Sequence, residues 1–134
     1  MGICVIGSGR AGMIHARNFA AGRIAGARLV ALVEPVAEAR QKACQELELD
    51  TAYAGHAQAL ADPRVDAVVV ATPTTFHRAI VVAAAQAGKH ILCEKPMATN
   101  ARECDEMIAA AAAARVRLQI GFMRRFDAGF VAAK

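Results

Sequence analysis

Short apolar runs alternate with longer mixed stretches along the whole chain. The runs are rich in Val, Ile, Leu and Ala, which is typical of strands that are buried on both faces of a sheet. The longer stretches combine charged residues with strong helix formers and predict helices. Strands are predicted at 3–6, 29–33, 51–53, 65–71, 90–93 and 116–120, and helices at 10–21, 36–47 and 56–60.

Two further helices are predicted from the residues that would cap them. Thr74 or Thr75 is expected to cap the first, and Thr99 or Asn100 the second. These helices are expected to end at 87 and 114. Strands that alternate with helices of this length predict βαβ units and a parallel sheet. We therefore expect an α/β fold with a doubly wound parallel sheet of the Rossmann type.

Composition and charge narrow the class of protein. A chain of 134 residues corresponds to about one domain, and its net charge of +4 comes from arginines that are scattered and not interleaved with aromatic residues. This pattern argues against nucleic-acid binding. Neither a membrane span nor an export signal is visible, which predicts a cytoplasmic protein. The four cysteines lack metal-ligand spacing, so no metal site is expected, and Cys4 and Cys93 are expected in the core.

A glycine-rich turn lies between the first predicted strand and the first predicted helix, with the sequence Gly7-Ser8-Gly9-Arg10-Ala11-Gly12. In a dinucleotide site, Gly7 would allow the tight turn, Gly9 would let the backbone approach the pyrophosphate, and Gly12 would allow close helix packing. The unpaired amides of the helix start would face the phosphates. Ser8 and Arg10 are expected as further contacts of this loop. The alternative is a glycine turn that binds no ligand.

An acidic residue follows the second predicted strand. Glu34 lies about 20 residues after the last glycine of the turn, as the dinucleotide fingerprint requires. It is expected to bind the adenosine ribose and to favour NAD over NADP, because a carboxylate repels a 2′-phosphate. Arg10 and Arg40 are the residues expected to soften that preference. The alternative is an ordinary acid near a helix start, and Pro35 is expected in the first turn of that helix.

Polar residues also follow the fourth and fifth predicted strands, where ligands of open α/β sheets bind. Thr72 and Pro73 form the first of these turns, and His77 is either a group that approaches the nicotinamide or a first-turn polar residue. Lys95 ends the fifth strand between Glu94 and Pro96. A charge at the end of a buried strand is costly unless it is used, so Lys95 is the stronger candidate, and the alternative is a lysine paired only with Glu94.

The chain resembles a known family at these same positions. Residues 5–12, 34–35, 66–77, 88–96 and 121–127 match, in order, the glucose-fructose oxidoreductase, inositol dehydrogenase and rhizopine-catabolism (Gfo/Idh/MocA) family. The Glu94-Lys95-Pro96 step is a specific feature of that pattern, and the bond before Pro96 is often cis in such enzymes. Residues 121–127 are most similar to the inositol 2-dehydrogenase branch.

The resemblance implies roles for the matched residues. Glycines 7, 9 and 12 would hold the pyrophosphate of NAD, Glu34 the adenosine ribose and Glu94 the other ribose. Lys95 would contact the reacting hydroxyl and ease its deprotonation. Further contacts are implied on the nicotinamide side for Thr72, Pro73 and His77, and beside the polyol for Met123 and Arg124.

The implied reaction is NAD-dependent oxidation of a secondary alcohol in a cyclic polyol or sugar, with inositol favoured. Hydride would pass to nicotinamide C4, and a histidine supported by an aspartate would take the proton. These two residues would belong to a second α/β domain outside this chain. Residues 1–120 would form the NAD-binding domain and 121–134 the start of the connection to the second. The whole enzyme is expected to be a homodimer or homotetramer, and this truncated chain to be inactive alone.

Two other functions stay open at this point. One is a non-catalytic module that binds a dinucleotide as a sensor, although such a module has no use for Lys95. The other is an NADP-linked sugar dehydrogenase.

Overall fold

Six parallel strands form one sheet in the computed structural model, which describes residues 1–133. The order across the sheet is β3-β2-β1-β4-β5-β6. The strands are β1 (Gly2–Ile6), β2 (Arg28–Val33), β3 (Ala52–Tyr53), β4 (Ala67–Val70), β5 (His90–Cys93) and β6 (Leu118–Ile120). The helices are α1 (Arg10–Ala20), α2 (Ala37–Leu47), α3 (His56–Ala61), α4 (His77–Gln86), α5 (Ala101–Ala113) and α6 (Ala128–Ala132).

Alternate residues of the central strand supply two separate cores. Cys4 and Ile6 pack on one face of the sheet with side chains of α3, α4 and α5. Ile3 and Val5 pack on the other face with side chains of α1 and α2. Because successive side chains of a strand point to opposite faces, the apolar run of β1 serves both layers. The doubly wound fold predicted from the sequence is confirmed.

The central position of β1 in the sheet determines where a ligand is expected to bind. β1 pairs with β2 on one side and with β4 on the other, so the chain winds outward in both directions from this strand. The carboxyl ends of all six parallel strands lie at one edge of the sheet. Between β1 and β4 the direction of winding reverses, and the crevice at such a switch point is where ligands bind in open α/β sheets.

The two helices predicted from their caps begin differently. Asn100 caps α5, because its side chain accepts a hydrogen bond from the Glu103 amide at 3.0 Å. The predicted caps at Thr74 and Thr75 are wrong, because 74–76 form a turn of 3₁₀-helix and α4 begins only at His77 without a side-chain cap.

The start of α2 also differs from the prediction. Pro35 precedes the helix, which begins at Ala37 with Val36 as its extended N-cap residue. The Val36 amide donates to the Glu34 carboxylate at 3.0 Å. This contact holds the chain extended after β2, so the helix starts later than the proline alone indicates.

Several smaller expectations are settled by the structure. Cys4 and Cys93 are fully buried, as predicted, and the Lys95–Pro96 bond is cis. No helix within residues 1–133 has the length and apolar character that crossing a membrane requires.

β6 ends at Ile120, and the division of the chain at residue 120 stays a prediction. After β6, five large apolar side chains are exposed: Phe122, Met123, Phe126, Phe130 and Val131.

Candidate cofactor and substrate site

The glycine loop leaves β1 through a turn that requires glycine. Gly7 has a φ of +101°, which side chains disfavour, and a Cβ atom there would lie 2.8 Å from the carbonyl oxygen of Ala71 on the neighbouring strand. The Gly7 amide donates to the carbonyl of Val33 at 2.8 Å. The turn is therefore fixed against both strands that flank β1.

The other two glycines have different surroundings. A Cβ atom on Gly12 would overlap the carbonyl oxygen of Gly7, so the helix packs directly on the loop. A Cβ atom on Gly9 would have no atom within 4 Å and would point into open space. Gly9 is also the N-cap residue of α1 and offers no side chain to the first amides of the helix. Free amides beside open space fit a pyrophosphate group.

Glu34 is connected to the glycine loop before any ligand binds. Its carboxylate accepts hydrogen bonds from the Ser8 amide at 3.1 Å, the Ser8 hydroxyl at 2.7 Å and the Val36 amide. Burial raises the pKa of the Glu34 carboxyl, but these hydrogen bonds and the Arg40 charge lower it more, so its pKa lies below the usual value. Arg40 also donates to the Glu34 carbonyl at 2.7 Å. The carboxylate is charged at neutral pH and is able to accept hydrogen bonds from ribose hydroxyls.

A cleft of about 590 Å³ crosses the carboxyl ends of β1, β2 and β4. A volume of this size is usual for small-molecule and cofactor sites. It brings together predicted residues from three separate parts of the sequence, namely Gly7, Gly9, Glu34, Thr72 and Pro73. It also includes Phe76, a half-exposed aromatic side chain that the sequence reasoning did not single out.

Arg10 lies apart from this cleft. It lines a smaller cavity of about 360 Å³ between α1 and α2, together with Ser8, Gly9, Arg17 and Lys42. The two cavities share Gly9. Arg10 is therefore next to the phosphate loop but on the outer side of it.

His77 does not point into the cleft. Its side chain is 1% exposed, with Nδ1 3.0 Å from the carbonyl oxygen of Pro96 and Nε2 2.9 Å from that of Thr72. Both ring nitrogens are thus engaged by backbone, and His77 joins the turn after β4 to the turn after β5. The interpretation of His77 as a group that approaches the nicotinamide does not agree with this position.

Thr72 offers a polar atom that the protein itself does not satisfy. Its hydroxyl oxygen is buried and has no hydrogen-bond partner within the described part of the chain, residues 1–133. Buried hydroxyls are normally paired, and Thr72 lines the large cleft. Because the hydroxyl oxygen itself is buried, it is not exposed to the cleft in this structure.

The turn after β5 presents Glu94 and Lys95 in different ways. Glu94 is partly buried, and its Oε1 lies 2.8 Å from Nε2 of His15 on α1. Lys95 is exposed, and its ammonium group forms no ion pair or hydrogen bond with any residue from 1 to 133. The argument that Lys95 occupies a costly buried place is therefore wrong, because the side chain stays in solvent. The alternative of a pair with Glu94 is not observed either.

Lys95 borders a second cavity, of about 560 Å³, between the turns after β5 and β6. Met123 and Arg124, which were predicted to contact substrate, line this same cavity with Gly121, Phe122 and Arg125. The Arg124 guanidinium also lies 4.6 Å from the centre of the Phe130 ring. A cavity with three cationic side chains and apolar walls is able to hold a small polar molecule.

No group of three or more metal-ligating side chains is close enough to hold an ion anywhere in residues 1–133. The candidate site consists of the glycine loop, Glu34 and the large cleft, and Lys95 lines a separate cavity with mainly apolar walls.

Comparison with known proteins agrees with this geometry. The sequence model of the Gfo/Idh/MocA oxidoreductase family, described as an NAD-binding Rossmann fold, matches residues 1–122. The chain is 40% identical over 131 residues to myo-inositol 2-dehydrogenase from Thermotoga maritima and 35% identical over 130 residues to scyllo-inositol 2-dehydrogenase (NAD(+)) from Bacillus subtilis. Each alignment covers 97% of this chain and 38% of the relative.

Solved structures give the same result. The structure of scyllo-inositol dehydrogenase from Lactobacillus casei with bound NAD(H) and scyllo-inositol superposes with a TM-score of 0.92 at 31% identity. It matches 99% of this chain, which in turn covers 39% of that structure. The chain therefore spans less than half the length of the relatives it matches. The fold, the phosphate loop and the family match together show that this chain belongs to the Gfo/Idh/MocA oxidoreductases and contains their NAD-binding Rossmann domain.

Proposed function

We propose that this chain is the cofactor-binding part of an enzyme that oxidises a secondary alcohol of a cyclic polyol or sugar with NAD, in the manner of the inositol 2-dehydrogenases. The observation that carries the proposal is the position of Lys95. Its ammonium group is exposed and unpaired with residues 1–133, and it borders a cavity at the edge of the sheet where the cofactor site lies. A sensor of dinucleotides would not need a free cation there.

The residues of the large cleft fit NAD in separate ways. The open space at Gly9 receives the pyrophosphate beside the first amides of α1. The Glu34 carboxylate accepts hydrogen bonds from the adenosine ribose and disfavours a 2′-phosphate. Thr72 and Pro73 line the same cleft and would border the nicotinamide end. When bound, NAD supplies the acceptor for the hydride that leaves the carbinol carbon.

The chain's own residues act on the alcohol. Lys95 donates a hydrogen bond from its ammonium group to the reacting hydroxyl and lowers the pKa of that hydroxyl, since a nearby positive charge stabilises the alkoxide. Met123 and Arg124 line the same cavity as Lys95 and contact the substrate there. The acceptor of the hydroxyl proton is a base in a second domain of the kind that the longer relatives have.

The choice of substrate class follows from the relatives and from the cavity. The names of two relatives specify inositols, and the bound ligand of the Lactobacillus casei structure is scyllo-inositol. The cavity beside Lys95 measures about 560 Å³ and carries hydrogen-bond donors on its charged side chains. Such donors suit the many hydroxyl oxygens of a polyol.

Calorimetric titration of the chain with NADH and separately with NADPH tests the proposal. We expect clear binding of NADH and much weaker binding of NADPH. Mixing the chain with NAD and myo-inositol should give negligible NADH, because proton transfer and substrate orientation both need the second domain. Failure to bind either cofactor would overturn the proposal for this chain, and rapid NADH formation would overturn the role given to the second domain.

A further inference from the structure

A histidine outside the sequence motifs holds the acidic residue of the β5 turn. His15 is on the second turn of α1, and Glu94 follows β5, 79 residues later in the chain. Nε2 of His15 lies 2.8 Å from Oε1 of Glu94, and both side chains are about one quarter exposed. A carboxylate oxygen only accepts hydrogen bonds, so in this pair the N–H group at Nε2 is the donor and Oε1 of Glu94 the acceptor.

The Glu94 carboxylate is confined on its remaining sides. Its Oε2 atom accepts a hydrogen bond from the Lys95 amide at 3.3 Å. A Cβ atom on Gly121 would lie 3.3 Å from the carboxyl carbon and from Oε2, so Glu94 packs against the backbone after β6. Among the side chains of residues 1–133, His15 alone forms a hydrogen bond with this carboxylate. The direction of the Glu94 side chain therefore depends on His15.

The ammonium group of Lys95 is the cation that Glu94 would otherwise attract. The two residues are adjacent in the chain, yet the structure contains no ion pair between them. An ion pair would withdraw Lys95 from a bound alcohol and withdraw Glu94 from the cofactor. The contact with His15 directs the carboxylate toward α1, and its only contact with Lys95 among the described residues is the hydrogen bond from the Lys95 backbone amide.

We infer that His15 is a positioning residue for the reaction, an inference that rests on the proposed function: it holds Glu94 beside the cofactor ribose and keeps Lys95 free for the substrate. Because α1 begins at the phosphate loop, the same helix that receives the pyrophosphate fixes the acid on the nicotinamide side. His15 acts through Glu94 and does not itself contact the reacting atoms.

Two variants of His15 distinguish the effect of its hydrogen bond from the effect of its side-chain volume. His15→Leu removes the donor, whereas His15→Gln keeps a nitrogen donor at a similar distance from the backbone. Each is titrated with NADH and with ADP, which lacks the nicotinamide ribose. We expect His15→Leu to weaken NADH binding about tenfold, in line with the loss of a hydrogen bond to a charged group, and to leave ADP binding unchanged. His15→Gln should recover most of the NADH affinity.

A second measurement tests the freedom of Lys95 without any cofactor. Acetylation of each lysine is followed by mass spectrometry, with Lys42 on α2 as the internal control. In His15→Leu we expect slower acetylation of Lys95, because a new pair with Glu94 would stabilise its protonated form. In His15→Gln the rate at Lys95 should match that of the unmodified chain.

The possible results point to different conclusions. Equal NADH affinity in His15→Leu and the unmodified chain, or equal losses for NADH and ADP, would overturn the positioning role. Unchanged acetylation of Lys95 in His15→Leu would overturn the claim that His15 keeps Lys95 free. Absence of NADH binding by the unmodified chain would instead overturn the proposed function, and the role of His15 in the reaction with it.

Discussion

Ser8 donates two hydrogen bonds to a single oxygen of Glu34, one from its amide at 3.1 Å and one from its hydroxyl at 2.7 Å. The glycine loop and Glu34, the residue proposed to bind the ribose, are thereby joined across two strands before a ligand arrives. Little rearrangement is needed when the adenosine end binds, and preorganisation of this kind increases affinity.

Replacing the charge of Glu34 should alter the preference between cofactors. In Glu34→Gln we expect about tenfold weaker NADH binding, because the ribose hydroxyls then donate to a neutral amide oxygen in place of a charged carboxylate. NADPH binding should stay equal or improve, since the amide does not repel a 2′-phosphate. The titrations described above measure both. Glu38→Gln, on the exposed side of α2, is the matched control. Equal affinity of the unmodified chain for both cofactors would contradict the role of Glu34.

The glycines of the loop should respond differently to the same added methyl group. Gly12→Ala forces a clash with the Gly7 carbonyl and should lower the free energy of unfolding by about 1–3 kcal/mol. Gly9→Ala places its methyl group in open space at an ordinary φ of −66°, so its effect on stability should stay below about 1 kcal/mol. Urea denaturation measures both values.

Gly9→Ala should lower NADH binding although it has little effect on stability. Gly9→Ala fills the space proposed for the pyrophosphate, so NADH binding should fall at least tenfold, as expected for loss of backbone contact with the phosphates. If Gly9→Ala binds NADH as well as the unmodified chain does, the pyrophosphate does not lie at this position.

Removing the ammonium group of Lys95 should affect turnover and not folding. Because Lys95 is exposed and unpaired with residues 1–133, Lys95→Met should keep the melting temperature and the NADH affinity of the chain. When the chain is joined to a second domain of the relatives' type, the same change should reduce NADH production from inositol about a hundredfold or more, as for loss of a group in proton transfer. Lys42→Met is the control. Unchanged turnover would contradict the catalytic role of Lys95.

The four cysteines should fall into two classes of reactivity. Burial, with a smaller effect of a nearby carboxylate, raises the pKa of Cys4 and of Cys93 to about 12. Cys44 and Cys104 are partly exposed. At pH 8 a thiol reagent should therefore modify two cysteines in the folded chain and four after denaturation. Rapid reaction of all four in the folded chain would contradict the buried positions.

These buried thiols also set a pH dependence of stability. A raised pKa in the folded state means that the folded chain keeps a proton that the unfolded chain loses. Stability from this source is complete below the pKa of an unfolded thiol, about 8.5, and declines as the pH rises toward 12. Urea denaturation at pH 7 and pH 10 should show the decrease.

The sequence was sufficient to predict features that depend on local spacing. The apolar runs predicted all six strands, and the predicted bounds of β5 are correct at both ends. The glycine loop and Glu34 were found because their spacing along the chain is fixed by the geometry of one βαβ unit. Both lie at the cleft, as predicted.

Features that depend on contacts between distant segments were not predictable in the same way. The burial of His77 depends on the backbone of the β5 turn, which lies 19 residues away. The pair of His15 and Glu94 has no spacing rule, because α1 and β5 meet only after the sheet forms. The late start of α2 has a local cause instead, because the Val36 amide donates to the Glu34 side chain and Val36 stays extended.

The central place of β1 also affects how the chain is made. β1 is translated before both of its partner strands; it is able to pair with β2 early, but its other edge waits for β4, where Val5 meets Val69. Until then, a fully apolar strand has an open row of backbone donors and acceptors, which is able to pair with a neighbouring polypeptide. The nascent protein is therefore most exposed to aggregation on the ribosome between the emergence of its first strand and that of its fourth.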